Sequence, residues 1–214
     1  MMTKKDCGHT CDDDEKKKLH RHILYGVIAF IVAVLLVIFL FWIITRPTKP
    51  TFVLQDATLY AFNLSATPPN TLITDIQVTI SSRNPNQRIG VYYEKLDVYA
   101  SYRNQQITLP TSLPVTYQGH KDVNVWSPYL YGDAVPVSPY VTTALCQDMN
   151  TGMVLINIKV DGKVKWKVGS WVSGKYHLNA NCPAYISLSG ERSKGIAAGA
   201  AIKYQLVQGC TVDV

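Results

Sequence analysis

Residues 154–168 read VLINIKVDGKVKWKV, and this stretch decides the fold because apolar and polar residues alternate along its length. The even-numbered positions are apolar apart from Gly162, and lysine recurs at the odd-numbered positions. A period of two puts alternate side chains on opposite faces of a β-strand, one buried and one in solvent. Asp161-Gly162 resembles a two-residue hairpin turn, but the alternation keeps its phase across the pair. We therefore predict one long strand, with Gly162 at a kink or a close approach to another part of the chain.

Other segments alternate in the same way, and turn-forming residues separate them. Residues 72–81 and 96–103 alternate, and the breaks carry proline and asparagine: Pro68-Pro69-Asn70, Asn84-Pro85-Asn86, Arg103-Asn104 and Asn179-Ala180-Asn181. One short helix is expected, because Ser138 suits an N-cap, Pro139 the first helical position and Gly152 the residue after the end. Its apolar face would hold Val141, Ala144, Leu145 and Met149. The pattern predicts a mainly β fold, an antiparallel β-sandwich with one short helix.

A single transmembrane helix is predicted to precede this sandwich. The run from Ile23 to Ile44 is apolar and contains neither a charged residue nor a proline. As a helix it is about 33 Å long, enough to cross a hydrocarbon core of about 30 Å. A cleaved signal peptide is the alternative, but its apolar region would be shorter and small residues would follow it. The run ends instead in bulky residues, followed by Arg46-Pro47, which favours an uncleaved signal anchor.

The run divides the chain into four predicted parts. Residues 1–22 are a disordered cytosolic tail, residues 23–44 the transmembrane helix, residues 45–51 a stiff extended linker, and residues 52–214 an extracellular domain. The orientation follows from Lys16–Lys18 and Arg21 just before the run, since positive residues stay on the cytosolic side. The residues after the run carry 15 Lys and Arg against 10 Asp and Glu, a net charge of +5 that permits attraction to anionic surfaces. Nucleic acid is not an expected partner, because most of the basic residues lie outside the cytosol.

An extracellular domain permits disulfides and N-glycosylation. It contains three cysteines, Cys146, Cys182 and Cys210, which allow three single bridges. We favour Cys182 with Cys210, because each follows a strand-like run near the C-terminus, and we expect Cys146 to stay free. Asn63-Leu64-Ser65 is the one glycosylation sequon, so Asn63 is the predicted glycan site.

The catalytic and metal-binding motifs in the sequence are incomplete, which favours a protein that is not an enzyme and uses no cofactor. Residues 190–195 have the glycine spacing of a phosphate loop, but Ile196 and Ala197 stand where lysine and a hydroxyl residue are needed. A dyad of Cys146 with a histidine is the catalytic alternative that stays open. Cys7 and Cys11 in the tail lack the ligand spacing of a zinc site, so no metal is predicted.

The lysines of the long strand form a candidate binding surface. Lys159, Lys163, Lys165 and Lys167 should project from one face of the strand. Lysines on an exposed strand also discourage edge-to-edge pairing, which is the simpler interpretation. As a functional surface, the stripe would attract an anionic polymer or a lipid headgroup.

Several segments resemble one plant protein family. They are Pro47-Thr48-Lys49-Pro50, residues 54–58, Asn84-Pro85-Asn86, residues 88–93, residues 117–121 and residues 164–169. The chain is similar across its anchor and outer domain to the harpin-induced-like, or non-race-specific disease resistance-like, membrane proteins. The resemblance implies a late-embryogenesis-abundant group two β-sandwich, a plasma-membrane location and a role in defence or stress responses. It brings no catalytic residues.

Three functional hypotheses follow. The first is a single-pass plasma-membrane protein of plant defence or stress responses, acting as a non-catalytic interaction module with the lipid bilayer and unidentified proteins as partners. The second is an apolar-ligand or lipid-binding domain that uses space between the sheets. A sandwich sealed by Trp126, Trp166 and Trp171 would argue against it. The third is a tether from the plasma membrane to the cell wall that binds anionic cell-wall polysaccharide.

Overall fold

The computed structural model describes residues 10–45, 47–65, 70–188 and 201–214. The chain forms two compact units, Met1–Arg46 and Pro47–Val214. The first contains helix α1 (Thr10–Thr45), and within it Leu19–Leu40 has a mean hydropathy of 3.2. Among the described residues this is the one helix long and apolar enough to cross a membrane. The predicted N-terminal apolar helix is confirmed.

Helix α1 begins earlier than the sequence predicts. It starts at Thr10, so Thr10–His22 is helical where residues 1–22 were expected to be a disordered tail. Helix formation is costly to nucleate and cheap to extend, and the apolar run supplies the nucleus. Residues 1–9, which include Cys7, lie outside the described part of the chain.

The second unit contains thirteen described strands and one helix. The strands that form the first sheet are β1 (Thr51–Ser65), β2 (Thr71–Arg83), β7 (Val123–Trp126), β8 (Tyr129–Pro136) and β12 (Ile202–Gly209). Those of the second sheet are β3 (Ile89–Tyr102), β4 (Gln105–Gln106), β5 (Thr111–Leu113), β6 (Thr116–Gln118), β9 (Met153–Val168), β10 (Trp171–Val172), β11 (Tyr176–Ser187) and β13 (Thr211–Asp213). Helix α2 (Pro139–Thr151) lies between β8 and β9 in the chain.

The sheets are antiparallel at every described pairing. The first sheet runs β12-β1-β2-β7, with β8 also paired to β2. The second runs β13-β11-β9-β3-β4, with β10 on β9 and both β5 and β6 on β3. Their inward-facing side chains form one hydrophobic core. The mainly β, antiparallel fold is therefore confirmed.

Strand β9 is the single long strand that the alternation predicts. It pairs along most of its length with β3 on one side and β11 on the other. Its even-numbered side chains are buried in the core: Val154, Ile156, Ile158, Val160, Val164 and Trp166. Gly162 has the predicted close approach, because a Cβ there would lie 2.0 Å from the Lys95 carbonyl oxygen. The register of β3 shifts between Tyr93 and Lys95, beside this contact.

Helix α2 also matches its predicted signals. The Ser138 hydroxyl accepts a hydrogen bond from the Val141 amide, and Gly152 ends the helix in the left-handed region with φ 82°. The predicted apolar face is buried and consists of Val141, Ala144, Leu145 and Met149. Cys146 is free and exposed on this helix.

Of the three tryptophans that were expected to seal the core, two are buried and one is exposed. Trp126 and Trp166 are buried at 8% and 4% exposure, but the Trp171 side chain is 63% exposed. Trp171 lies in β10, a strand of two residues that follows the hairpin after β9. Such a short strand offers no alternation from which the facing of its side chains can be predicted.

The close approach at Gly162 predicts the effect of adding one methyl group. Gly162→Ala should force β9 and β3 apart and lower the free energy of unfolding by about 2 kcal/mol, which corresponds to roughly 4–8 °C in Tm for a domain of this size. Thermal unfolding of the purified full-length chain measures this. Gly174→Ala is the matched control, since a Cβ there meets no atom within 4 Å. Equal melting of the two variants would contradict the packing described here.

Candidate functional site

Four of the family-like segments meet at one end of the sandwich, around two buried asparagines. Asn84 Nδ2 donates hydrogen bonds to the carbonyl oxygens of Ile89 (2.7 Å) and Gly119 (2.9 Å). Its Oδ1 accepts hydrogen bonds from the backbone N and the Nδ2 of Asn86 at 3.0 and 2.9 Å. We call Asn84 and Asn86 the asparagine hub. It fastens the β2–β3 turn to the loop that follows β6.

The hub also holds the segment that enters the sandwich. Asn86 Nδ2 donates to the Thr48 carbonyl oxygen at 2.7 Å, and the Thr48 amide donates to Asn86 Oδ1 at 2.8 Å. Pro50 is buried, and the Lys49 ammonium pairs with Asp213 at 3.3 Å. Within the predicted stiff linker of residues 45–51, Thr48 and Lys49 are thus held by contacts to the sandwich. Thr45 ends helix α1, Thr51 begins β1, and Pro47 onward belongs to the sandwich.

A buried polar network lies next to the hub. The Tyr93 hydroxyl donates to Gln118 Oε1 at 2.8 Å and lies 2.8 Å from the Ser82 hydroxyl. Gln118 Nε2 donates to the carbonyl oxygens of Ser82 and Asp122 at 2.6 and 3.0 Å. Burial raises the pKa of Tyr93, with a smaller opposing effect from Ser82. The phenol therefore stays protonated and donates to Gln118 within the second sheet, and its contact with Ser82 links β3 to β2 of the first sheet.

Three aromatic rings close the core beside this network. The Tyr93 ring meets the edges of Phe52 and Trp126, with centroids 6.3 and 5.5 Å apart. The Phe52 and Trp126 rings stack at 6.5 Å. These rings occupy the space between the sheets that an apolar ligand would need at this end. The structure therefore gives the apolar-ligand hypothesis no support here.

The predicted lysine stripe does lie along the solvent-facing side of the second sheet, but most of its charges are engaged. Lys165 forms an ion pair with Glu94, which also pairs with Lys175 at 3.0 Å. Hydrogen bonds from these two lysines hold the pKa of Glu94 below its usual value. Lys159 Nζ donates to the Asn104 side-chain oxygen at 3.2 Å. The stripe is thus a surface whose positive charge is partly neutralised by Glu94.

Lys167 belongs to an aromatic cluster that the sequence analysis did not single out. Its ammonium lies 5.7 Å from the ring centroid of Tyr92 and 5.3 Å from that of Tyr117. The two rings are 4.5 Å apart, and Tyr117 covers Gly90 so closely that a Cβ there would lie 2.3 Å from its hydroxyl. The one sequence feature that could have indicated this cluster is that both tyrosines occur in family-like segments. Periodicity alone does not show that they meet.

Lys163 is the stripe residue most open to a ligand. Across the strands it faces Lys95 on β3 and His177 on β11. Lys95 pairs with Asp97 at 2.8 Å, and His177 lies 3.4 Å from Asp161. A shallow depression of about 460 Å³ is lined by Glu94, Lys95, Val115, Lys163 and Lys175. Three of these five side chains are cationic, so the depression suits an anionic group.

A second cluster lies at the opposite end of β3, where it fastens α2 to the sheet. The Tyr102 hydroxyl donates to Asp148 at 2.5 Å, and Arg103 lies 3.4 Å from the same carboxylate. Burial, helped by Asp148, raises the pKa of Tyr102 to about 12. Arg103 also donates to the Tyr140 hydroxyl at 3.1 Å. These contacts are structural, since each charged group already has its partner within the cluster.

The structure brings the predicted cysteine pair to bonding distance. Cys182 on β11 and Cys210, between β12 and β13, are joined as a disulfide with their Cα atoms 4.2 Å apart. Strand β12 belongs to the first sheet and β13 to the second, so the bridge lies where the chain crosses between sheets. The Cys210 amide also donates to the Phe52 carbonyl oxygen at 2.9 Å. The bridge therefore fixes the C-terminal strands to both sheets.

The other predicted residues are dispersed. Asn63 is exposed on β1 and pairs with Ile73 of β2. Within the described residues, no group of three or more histidine, cysteine or acidic side chains is placed to hold a metal ion. Residues 190–197, which carry the incomplete phosphate-loop pattern, lie outside the described part of the chain.

These features define a class of protein, an antiparallel β-sandwich that follows one N-terminal apolar helix. A family model described as late embryogenesis abundant protein matches residues 79–182. NDR1/HIN1-like protein 1 of Arabidopsis thaliana is 50% identical over 214 residues, covering 98% of this chain and 100% of that protein. NDR1/HIN1-like protein 12 from the same plant is 52% identical over 214 residues and covers 100% of both. NDR1/HIN1-like protein 26, also from that plant, is 40% identical over 168 residues, covering 78% of this chain and 79% of that protein. The chain belongs to the NDR1/HIN1-like family.

Proposed function

We propose that this chain is a single-pass plasma-membrane protein of plant defence or stress responses, and that its extracellular sandwich is a non-catalytic interaction module. The apolar helix supports the membrane location, and the family supports the general role. The basic residues before the span, Lys16–Lys18 and Arg21, support a cytosolic N-terminus. The unidentified partners are then proteins or polymers outside the cell.

The directions of the shifted pKa values support a recognition surface. A general acid or base works best with a pKa near the working pH. In the described residues the shifts run away from neutrality: burial raises the pKa values of Tyr93 and Tyr102, and lysine contacts lower those of Glu94 and Asp97. Contact with Asp97 also raises the pKa of Lys95. These groups keep fixed protonation states at neutral pH, which suits a surface with a constant charge pattern.

Because the Asn63 side chain is exposed, its glycosylation tests whether the sandwich lies outside the cell. In protein from plant membranes, a glycosidase that removes N-glycans should increase gel mobility by one glycan, because the sequon lies in an extracellular domain. Asn63→Gln should already migrate at the faster position and show no further shift. Asn150→Gln is the matched control, an exposed asparagine on α2 outside any sequon, and it should shift like the parent. A parent chain that is present at the cell surface and carries no glycan would contradict this prediction.

A second function, attachment to the cell wall, is favoured by one observation. The depression around Lys163 combines Lys95 and Lys175 with the apolar side chain of Val115. Carboxylates of an acidic polysaccharide would pair with the Lys163 ammonium and compete with Asp97 and Glu94 for those of Lys95 and Lys175. The other stripe lysines stay engaged with Glu94, Asn104 and the tyrosines. We propose that de-esterified pectin is the polymer.

The pectin proposal predicts a localised effect of charge removal. Lys95→Gln combined with Lys163→Gln should weaken binding to polygalacturonate about fivefold, since an exposed ion pair contributes about 0.5 kcal/mol. Binding of the parent should also fall as salt rises. Arg83→Gln combined with Lys203→Gln removes the same charge from the first sheet and should bind like the parent. Equal binding of the two double variants, or no binding by the parent at low salt, would rule out this site.

A further inference from the structure

The chain enters the sandwich at the end that carries the hairpin between β9 and β10. In the second sheet, Ile89 at the start of β3 pairs with Val168, and Val168 pairs with Trp171. The turn just before Ile89 contains Asn86, which binds Thr48 on both its amide and carbonyl groups. The exposed Trp171 and the entry point of the chain therefore lie at the same end. We call this the entry end.

The entry end has the composition of a membrane-interface surface. Trp171 and Val172 are 63% and 42% exposed at the hairpin. Exposed cationic side chains lie near the hub at Arg88 and Lys121. Tryptophan prefers the boundary between hydrocarbon and headgroups, where its ring is buried and its N–H meets polar groups. Cationic side chains next to it suit the phosphates of lipid headgroups.

Two acidic side chains that the structure describes at this end, those of Asp213 and Asp122, already have partners. Asp213 pairs with Lys49 at 3.3 Å, and Asp122 accepts a hydrogen bond from the Val123 amide at 2.8 Å. They reduce the positive charge of the entry end without removing it. The surface therefore fits zwitterionic headgroups, in which phosphate and ammonium are both present, as well as anionic ones.

Chain length restricts what the entry end can meet. Thr48 follows Thr45, the last residue of α1, by three positions, and three extended residues span at most about 11 Å. The headgroup layer extends about 5–8 Å beyond the hydrocarbon. Since the hub holds Thr48 against the sandwich, no further chain is available as a spacer. A bilayer is thus within reach of this end.

We propose that the entry end docks onto the outer leaflet of the bilayer that holds the anchor, with Trp171 inserted among the headgroups. This inference rests on the membrane anchor of the proposed function. The occupant is the lipid surface itself, and no protein partner is required.

Fluorescence quenching in phosphatidylcholine nanodiscs tests the docking with the full-length chain. Trp126 and Trp166 are buried, so after Trp42→Phe, and with a tryptophan-free nanodisc scaffold, the emission that responds to added quenchers comes from Trp171. A lipid spin-labelled at the headgroup should quench this emission, and acrylamide in the water should quench it weakly. Adding Trp171→Phe should abolish the lipid effect. Trp171 that is quenched by acrylamide and not by the lipid would overturn the proposal.

A matched control places a tryptophan side chain at the opposite end of the sandwich. Tyr185 is 53% exposed near the end of β11 that pairs with Met153–Leu155. In a Trp42→Phe, Trp171→Phe background, the tryptophan introduced by Tyr185→Trp should be quenched by acrylamide and not by the lipid. Lipid quenching at both positions would mean non-specific adsorption and would overturn docking by the entry end.

The anchor is checked separately with the parent chain. Trp42 lies in the apolar run, so a lipid labelled deep in the acyl chain should quench part of the parent emission, and Trp42→Phe should remove that part. If Trp42 is quenched and Trp171 is not, the anchor stands and the docking is wrong. If Trp42 is not quenched, both the anchor and the docking that depends on it are contradicted.

Discussion

The hydrogen bonds of Asn84 and Asn86 are the interaction on which the rest of this structure depends. Two amide side chains hold the turn before β3, the loop after β6 and the segment before β1. Each bond satisfies a backbone group in a buried or partly buried place, where an unpaired polar group costs about 1–3 kcal/mol. Removing either amide would leave several such groups without partners. The buried Tyr93 network and the aromatic closure of the core lie directly beside the hub.

Local patterns predicted the parts of the fold that local physics determines. The alternation in β9, the Ser138 cap and the Gly152 terminus all depend on neighbours in sequence, and the structure has them as predicted. The cysteine pair was found because few cysteines were available. The buried face of the sandwich follows from the same period of two.

Long-range contacts explain what sequence reasoning missed. Asn84-Pro85-Asn86 was recognised as a turn, but its bonds reach Thr48, 38 residues away in the chain. The pairing of Lys165 with Glu94 depends on the register between β9 and β3, including its irregularity, which composition does not specify. The exposure of Trp171 depends on a hairpin too short to show a pattern. The linker over residues 45–51 was predicted to be stiff and extended, but its composition does not show that Asn86 holds Thr48.

The chain just after α1 is docked into the sandwich and does not act as a flexible spacer. Hydrogen–deuterium exchange of the full-length protein in nanodiscs tests this at Pro47–Pro50, where Thr48 and Lys49 are the two residues with an amide proton. The Thr48 amide should exchange as slowly as those of β1, and Asn86→Ala should make it exchange rapidly while α2 stays unchanged. Exchange of Thr48 at the rate of an unstructured chain in the parent protein would contradict the account.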